Sequence, residues 1–435
     1  MDKRTWQILL AAKLAMALVV VASLFLTDLN VHQFQAVFAR WPDSDTPTWA
    51  SRFATWDVAH YLRLSQEGYQ ANSPSCAFYP LWPMVLRVGS VLTGDRPVLA
   101  AMLLANALSL VGLYMLYRLV ERHCGARTAR DTLILVLACP GALFFSFPYS
   151  ESMFLVLLMT FFWALERAQW AWAAVAAFLL PLSRPVGVFV LLPLAWFLWE
   201  RGWPRWPALR RVLERLARAV AVLPWRRPRN LAEAPHRNAA SSNPAAGRSV
   251  DTALAGGAAG RDGADTQPGG FMPRLLLAAP SLGYGLYFGL MYAWTGNPFE
   301  GFAAQKAYPN SPSIKNMINV SGFTQALLNI GSLAGMMDGF LDRAFFVLLL
   351  LTLPAVWRLN RVWFWYVLAA GLVPALTSWF MSYRRYVMVL FPVFVVVAQW
   401  LGRTGKRWVF WYYVILLAAI QAWAVKEFMS FNWAG

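Results

Sequence analysis

The sequence predicts an all-α integral membrane protein, a polytopic bundle of about eleven transmembrane helices with interfacial helices and loops on its outer face. Three observations lead there. Hydrophobic residues fill 59% of the 435 positions and charged residues only 14%, too apolar a balance for a soluble domain of this length. Apolar runs of spanning or near-spanning length recur along the chain. Lys and Arg lie in short clusters between these runs, so the net charge of +17 reads as positive-inside bias rather than a nucleic-acid face.

The first apolar run, 7–27, follows a basic start, "MDKRTWQILLAAKLAMALVVVASLFLTDLN". A cleaved signal peptide and an uncleaved anchor share that pattern; about 20 apolar residues are enough to span and favour the anchor, with Lys13 snorkelling at its cytoplasmic end. Residues 28–96 then form a first outer loop. Runs at 97–120, 131–147, 151–166, 169–183 and 186–200 complete an N-terminal transmembrane half, 1–200, and the short ones suggest tilted or re-entrant segments. Residues 201–272 are a cytoplasmic insert: Arg alternating with Leu, Val and Trp predicts a basic amphipathic helix, and the Ala, Gly, Ser and Asp that follow predict disorder. Runs at 273–295, 339–357, 362–380, 386–402 and 408–426 make the C-terminal half, 273–435.

With the N-terminus inside, Arg118, Arg122, Arg127, Arg130, Arg358, Arg361, Arg403, Lys406 and Arg407 all fall on the cytoplasmic side. Residues 28–96, 147–151, 296–338 and 381–385 then face outward. Cys76, Cys124 and Cys139 are assigned to an outer loop, an inner loop and a membrane segment, which argues against a disulfide framework. No repeat or Gly-rich phosphate loop stands out, nor any metal-ligand spacing among the four His residues.

Polar residues that do not serve orientation collect on the outer face. Val58, Tyr61, Leu62 and Ser65 share a helical face, predicting a short interfacial helix over 57–67 with Asp57 in its first turn and His60 one turn on. Asp57 can cap that helix, or it can accept a proton from a sugar hydroxyl at the membrane surface. "FPYSES" presents Tyr149, Ser150 and Glu151, with helix capping the alternative role for Ser150. Arg184 in "SRPVG" and Arg384 and Arg385 in "SYRRY" lie at the edge of apolar runs, where a planar guanidinium suits a phosphate; snorkelling is the alternative for Arg384. "TGNPFEGFAAQKAYP" adds Gln305 and Lys306, and Trp56 and Tyr386 flank the charged positions.

"WDVAHYL", then "GY" and "AFYPLWP", "CPGALFFSFPYSESMF", "SRPVG" and "RRYVMVLFPVF" resemble, in this order, the motifs of the PIG-V-type mannosyltransferases. The resemblance runs from about Arg52 to Phe394, around the insert. It implies a GT-C-like glycosyltransferase that moves a hexose, mannose being favoured, from a polyprenyl-phosphate donor with inversion. The acceptor would be a glycan, glycolipid or exported protein at the non-cytoplasmic membrane face, which is the cell inner membrane in a bacterium. It further implies Asp57 as catalytic base, Arg184 and Arg385 on the donor phosphate with Lys306 in reserve, and Trp56, His60, Tyr149, Ser150, Glu151, Gln305 and Tyr386 lining the site. Fixed arginines would then serve where soluble enzymes often use a metal, so the resemblance implies no obligatory metal ion and no resident cofactor, the lipid-linked sugar phosphate being a co-substrate. The chain departs from the family in "SRPVG", where an Asn often follows the Arg, and in its long insert. A transporter or flippase for a lipid-linked sugar is the alternative; it would show repeats and polar groups at the bilayer midplane.

Overall fold

The computed structural model describes residues 3–201, 271–309 and 311–433. The amphipathic helix and disorder expected between 201 and 272 lie outside the described residues but for their ends. The segments either side of the insert pack into one compact unit. Among the described residues there is no strand, only an isolated bridge between Ser332 and Gly339.

Each predicted apolar run is helical over most of its length. Helix α1 is Lys3–Leu26, α2 is Val31–Ala36, α3 is Asp57–Glu67, α4 is Leu81–Leu92, α5 is Pro97–Ala138, α6 is Glu151–Glu166, α7 is Trp170–Ser183 and α8 is Leu191–Glu200. After the insert come α9, Phe271–Thr295; α10, Glu300–Ala304; α11, Val320–Leu328; α12, Phe340–Leu359; α13, Arg361–Ser378; α14, Tyr383–Met388; α15, Phe391–Arg403; and α16, Arg407–Met429. Among the described residues five helices are long and apolar enough to cross a membrane: Lys3–Leu26, Pro97–Ala138, Leu275–Thr295, Phe340–Leu359 and Arg407–Met429. Leu81–Leu92, Trp170–Ser183, Pro185–Glu200 and Phe391–Arg403 are apolar but shorter.

Helix α5 joins two predicted runs across a kink at Gly125, whose φ of 81° is in the region only glycine enters readily. Helix α6 packs against both α5 and α7, and α9 runs along α7. There Gly283 lies so close to the Phe178 carbonyl that a β-carbon would collide with it, the close approach that small residues permit between membrane helices.

Lys13 does not snorkel. It lies near the middle of α1, a helix of 24 residues and therefore about 36 Å long. Its Nζ donates inward to Asn106 Oδ1 at 2.9 Å, the Phe145 carbonyl at 2.8 Å and Ser146 Oγ at 3.0 Å. Asn106 Nδ2 in turn donates to the Ser146 carbonyl at 2.9 Å. The 3-10 helix Pro140–Phe145 ends inside the bundle, and its exposed carbonyls need donors that lipid cannot supply. Lys13 is thus consumed by the fold.

The C-terminal ends of α1 and α16 meet at one end of the bundle, where Asn30 N donates to the Ser430 carbonyl at 2.8 Å. Arg52 Nη1 donates to the Thr27 carbonyl at 2.9 Å, tying the segment before α3 to the same end. The start of α16 is at the opposite end, where Arg407 clamps Asp131 through two bonds of 2.6 and 2.7 Å.

Candidate active site

Asp57 opens α3, whose buried residues include Val58, Tyr61, Leu62 and Ser65, the face expected from their spacing. The preceding Trp56 has a φ of 54°, a left-handed conformation costing a bulky residue about 1–3 kcal/mol. The C-terminal tail holds it there: Trp56 Nε1 donates to the Asn432 carbonyl at 3.2 Å and its ring meets the edge of Trp433 with centroids 4.9 Å apart. Asp57 makes no capping bond; its carboxylate pairs with Arg385 Nη1.

Glu151 opens α6 and is fully buried, reached through the 3-10 helix Pro140–Phe145 whose end Lys13 and Asn106 hold. Arg184 ends α7 where Pro185 prevents the helix from continuing regularly. Arg385 sits in α14, entered through Trp379, Phe380 and Ser382, all with positive φ. These four side chains form one chain of alternating charge. Arg385 Nε donates to Glu151 Oε1 at 2.7 Å, and Arg184 Nη1 pairs with the same carboxylate. Side-chain exposure is 20% for Asp57, 9% for Arg385, 7% for Arg184 and 0% for Glu151, so Asp57 is the member most open to solvent.

A narrow cleft runs down to the chain, lined by Trp56, Asp57, Phe144, Tyr149, Arg385, Phe428 and Trp433. Only Asp57 and Arg385 of the four charged groups face it; Glu151 and Arg184 stand behind the wall. The Arg385 guanidinium lies 4.6 Å from the Tyr149 ring centre and 5.0 Å from that of Phe144, and Arg184 lies 5.1 Å from that of Tyr386. Burial works against the charge on Arg385, but the adjoining Asp57 and Glu151 carboxylates outweigh it and hold the guanidinium well above its ordinary value.

Around the chain, Ser150 makes no capping bond; its hydroxyl lies 3.2 Å from that of Tyr61. His60 Nδ1 is 2.8 Å from Ser75 Oγ, and its ring stacks on Phe78 at 4.7 Å. Burial lowers its pKa to about 4 against the opposing pull of Asp57, leaving a neutral imidazole. Tyr308 approaches His60 Nε2 at 3.5 Å and donates to the Pro74 carbonyl at 3.1 Å. Lys306 and Gln305 are not brought to the charged chain: Lys306 is exposed on the 3-10 turn Gln305–Ala307 and forms no ion pair among the described residues. Arg384 does not snorkel. It is 1% exposed, its backbone N–H donates to Asp342 Oδ1 at 2.8 Å and its Nη2 to the Ala334 carbonyl at 3.1 Å, which fixes α14 so that the neighbouring Arg385 points the other way. Among the described residues no three His, Cys, Asp or Glu side chains gather as a metal site.

Sequence reasoning missed Phe144, Phe428 and Trp433 as cleft walls and Tyr61 as the partner of Ser150. Phe428 and Trp433 belong to the polar-aromatic tail "FMSFNW", whose composition after the last apolar run was the available signal.

Residues 43–201 match the family model described as Mannosyltransferase (PIG-V). No curated protein matches the chain. Among solved structures, an Archaeoglobus fulgidus oligosaccharyltransferase in complex with Zn and sulfate aligns at 11% identity and a TM-score of 0.45, over 98% of this chain and 53% of that one. The archaeal oligosaccharyltransferase AglB from the same organism, in complex with an inhibitory peptide and a dolichol-phosphate, aligns at 12% identity and a TM-score of 0.45, over 100% of this chain and 56% of that one. The chain spans about half the length of these two structures.

Proposed function

We propose that this chain, which matches the PIG-V mannosyltransferase family over residues 43–201, transfers a hexose from a polyprenyl-phosphate donor to an acceptor at the non-cytoplasmic membrane face. The family match favours mannose. The observation that carries the proposal is the pair on the cleft wall: a partly exposed carboxylate, Asp57, beside a buried guanidinium, Arg385.

The reaction is a single displacement with inversion. Asp57 accepts the proton of the acceptor hydroxyl, the acceptor oxygen bonds to the anomeric carbon, and the bond from that carbon to the phosphate oxygen breaks, its electron pair leaving with the polyprenyl phosphate. Charge balances: the carboxylate loses one negative charge and the leaving phosphate gains it. Arg385 faces the cleft and meets that growing charge as a preorganised donor. Arg184, expected on the phosphate, acts from behind by holding Glu151, which in turn anchors Arg385. Trp56 and Trp433, half-buried on the cleft wall, offer ring surface to the sugar, whereas Phe144, Tyr149 and Phe428 are buried. The eleven-helix topology belongs to the same proposal, the shorter apolar helices crossing among the five longer ones where the bilayer thins around them. The transporter reading gains no support from Lys13, the charge near mid-helix, because its donors are consumed by the fold.

Purified protein in phospholipid vesicles, given polyprenyl-phosphate mannose, polyprenyl-phosphate glucose or a nucleotide sugar, should move sugar to extracted membrane lipids or exported proteins only from a lipid-linked donor. Transfer from the nucleotide sugar alone would reject the donor class.

A further inference from the structure

The charged chain is electrically closed. Two arginines face two carboxylates, so the cluster carries no surplus positive charge for an incoming phosphate. Glu151 cannot yield one: it is fully buried and held from both sides by Arg184 and Arg385. Asp57 can, because it ends the chain, has a single cationic partner and shares the cleft wall with it. Resting on the donor assigned above, we propose that the Asp57–Arg385 ion pair is exchanged when the donor binds, the phosphate taking the Arg385 Nη1 edge that Asp57 occupies in the free protein.

Three consequences follow from charge and geometry. Arg385 keeps its Nε bond to Glu151 throughout, so only one edge of its fork changes partner and the guanidinium stays in register. Asp57, released from its cation, is free to turn to the acceptor hydroxyl only once donor is present, which orders the reaction donor first. During transfer, negative charge leaves Asp57 and appears on the phosphate, and Arg385 follows the phosphate. The pair in the free protein is therefore a competitor of the donor.

That competition gives a result a fixed binding site would not. Neutralising Asp57 should strengthen phosphate binding while removing turnover. Equilibrium binding of farnesyl phosphate to the detergent-purified full chain, read from the fluorescence of the cleft tryptophans, is predicted to tighten by about tenfold in Asp57→Asn, since desolvated charge pairs couple at least that strongly. Asp57→Ser, also neutral, provides the same reading where the Asn variant is not recovered folded. Arg385→Lys should weaken binding in the parent chain and abolish the gain in the Asp57→Asn background. Affinity unchanged or weaker in the Asp57 variants, with transfer lost, would reject the exchange and leave Asp57 as base; transfer that persists in Asp57→Asn would reject the underlying reading itself.

Discussion

Asp57 and His60 stand one helical turn apart and meet opposite fates. The carboxylate reaches the cleft and a cation, whereas the imidazole is stacked on Phe78 beneath Tyr308 and stays neutral. With its pKa lowered to about 4 from 6.5, His60 takes up a proton more readily in the unfolded chain than in the folded one across that interval. Its contribution to stability is complete above pH 6.5 and is lost as pH falls toward 4. Thermal unfolding followed between pH 7 and 4 should therefore show a smaller acid loss in His60→Asn than in the parent chain, and parallel profiles would show that His60 is not the group responsible. Both Asp57 and His60 were singled out in the sequence from the spacing of "WDVAHYL". Which partner each would meet was not legible, because Arg385 and Ser75 lie on elements whose approach no local pattern encodes.

At the scale of elements, the site depends on short irregular pieces held by buried polar contacts. The 3-10 helix Pro140–Phe145 delivers Ser150 and Glu151 to the charged chain, and Lys13 with Asn106 satisfies its last carbonyls. Lys13→Met removes the short bond to the Phe145 carbonyl, leaving it only Ser152 Oγ at 3.4 Å, and takes the Lys13 donor from Asn106 Oδ1, so a stability loss of about 1–3 kcal/mol is expected, measurable as a lower Tm in detergent. A Tm equal to that of the parent would mean that the stretch does not rely on Lys13. Apolar runs were read correctly as helices because length and hydropathy are local properties. The inward turn of Lys13 was not: its helix starts at Lys3, earlier than the apolar run suggests, which sets Lys13 deeper, and its acceptors belong to a distant segment. The two roles that the sequence leaves open for Arg384, phosphate contact and snorkelling, both give way for the same reason, since Asp342 and the Ala334 carbonyl enclose it from another part of the chain.

At the scale of the molecule, the candidate site occupies the bundle end where α1 and α16 finish, and the Arg407–Asp131 clamp marks the other. On the proposed topology the clamp end is the cytoplasmic one, because Lys and Arg cluster there. In intact cells a membrane-impermeant maleimide should modify Asn72→Cys and spare Arg403→Cys, both exposed positions, in a chain whose Cys124 has been replaced; the reverse pattern would put the cleft on the cytoplasmic side. The measurement that bears most directly on Asp57 as the base of a glycosyl transfer is the turnover of purified Asp57→Asn with saturating polyprenyl-phosphate mannose, alongside a parent chain of equal Tm. A loss of about 100-fold or more is predicted, the range that general-base catalysis supplies, and transfer at the parent rate would contradict it.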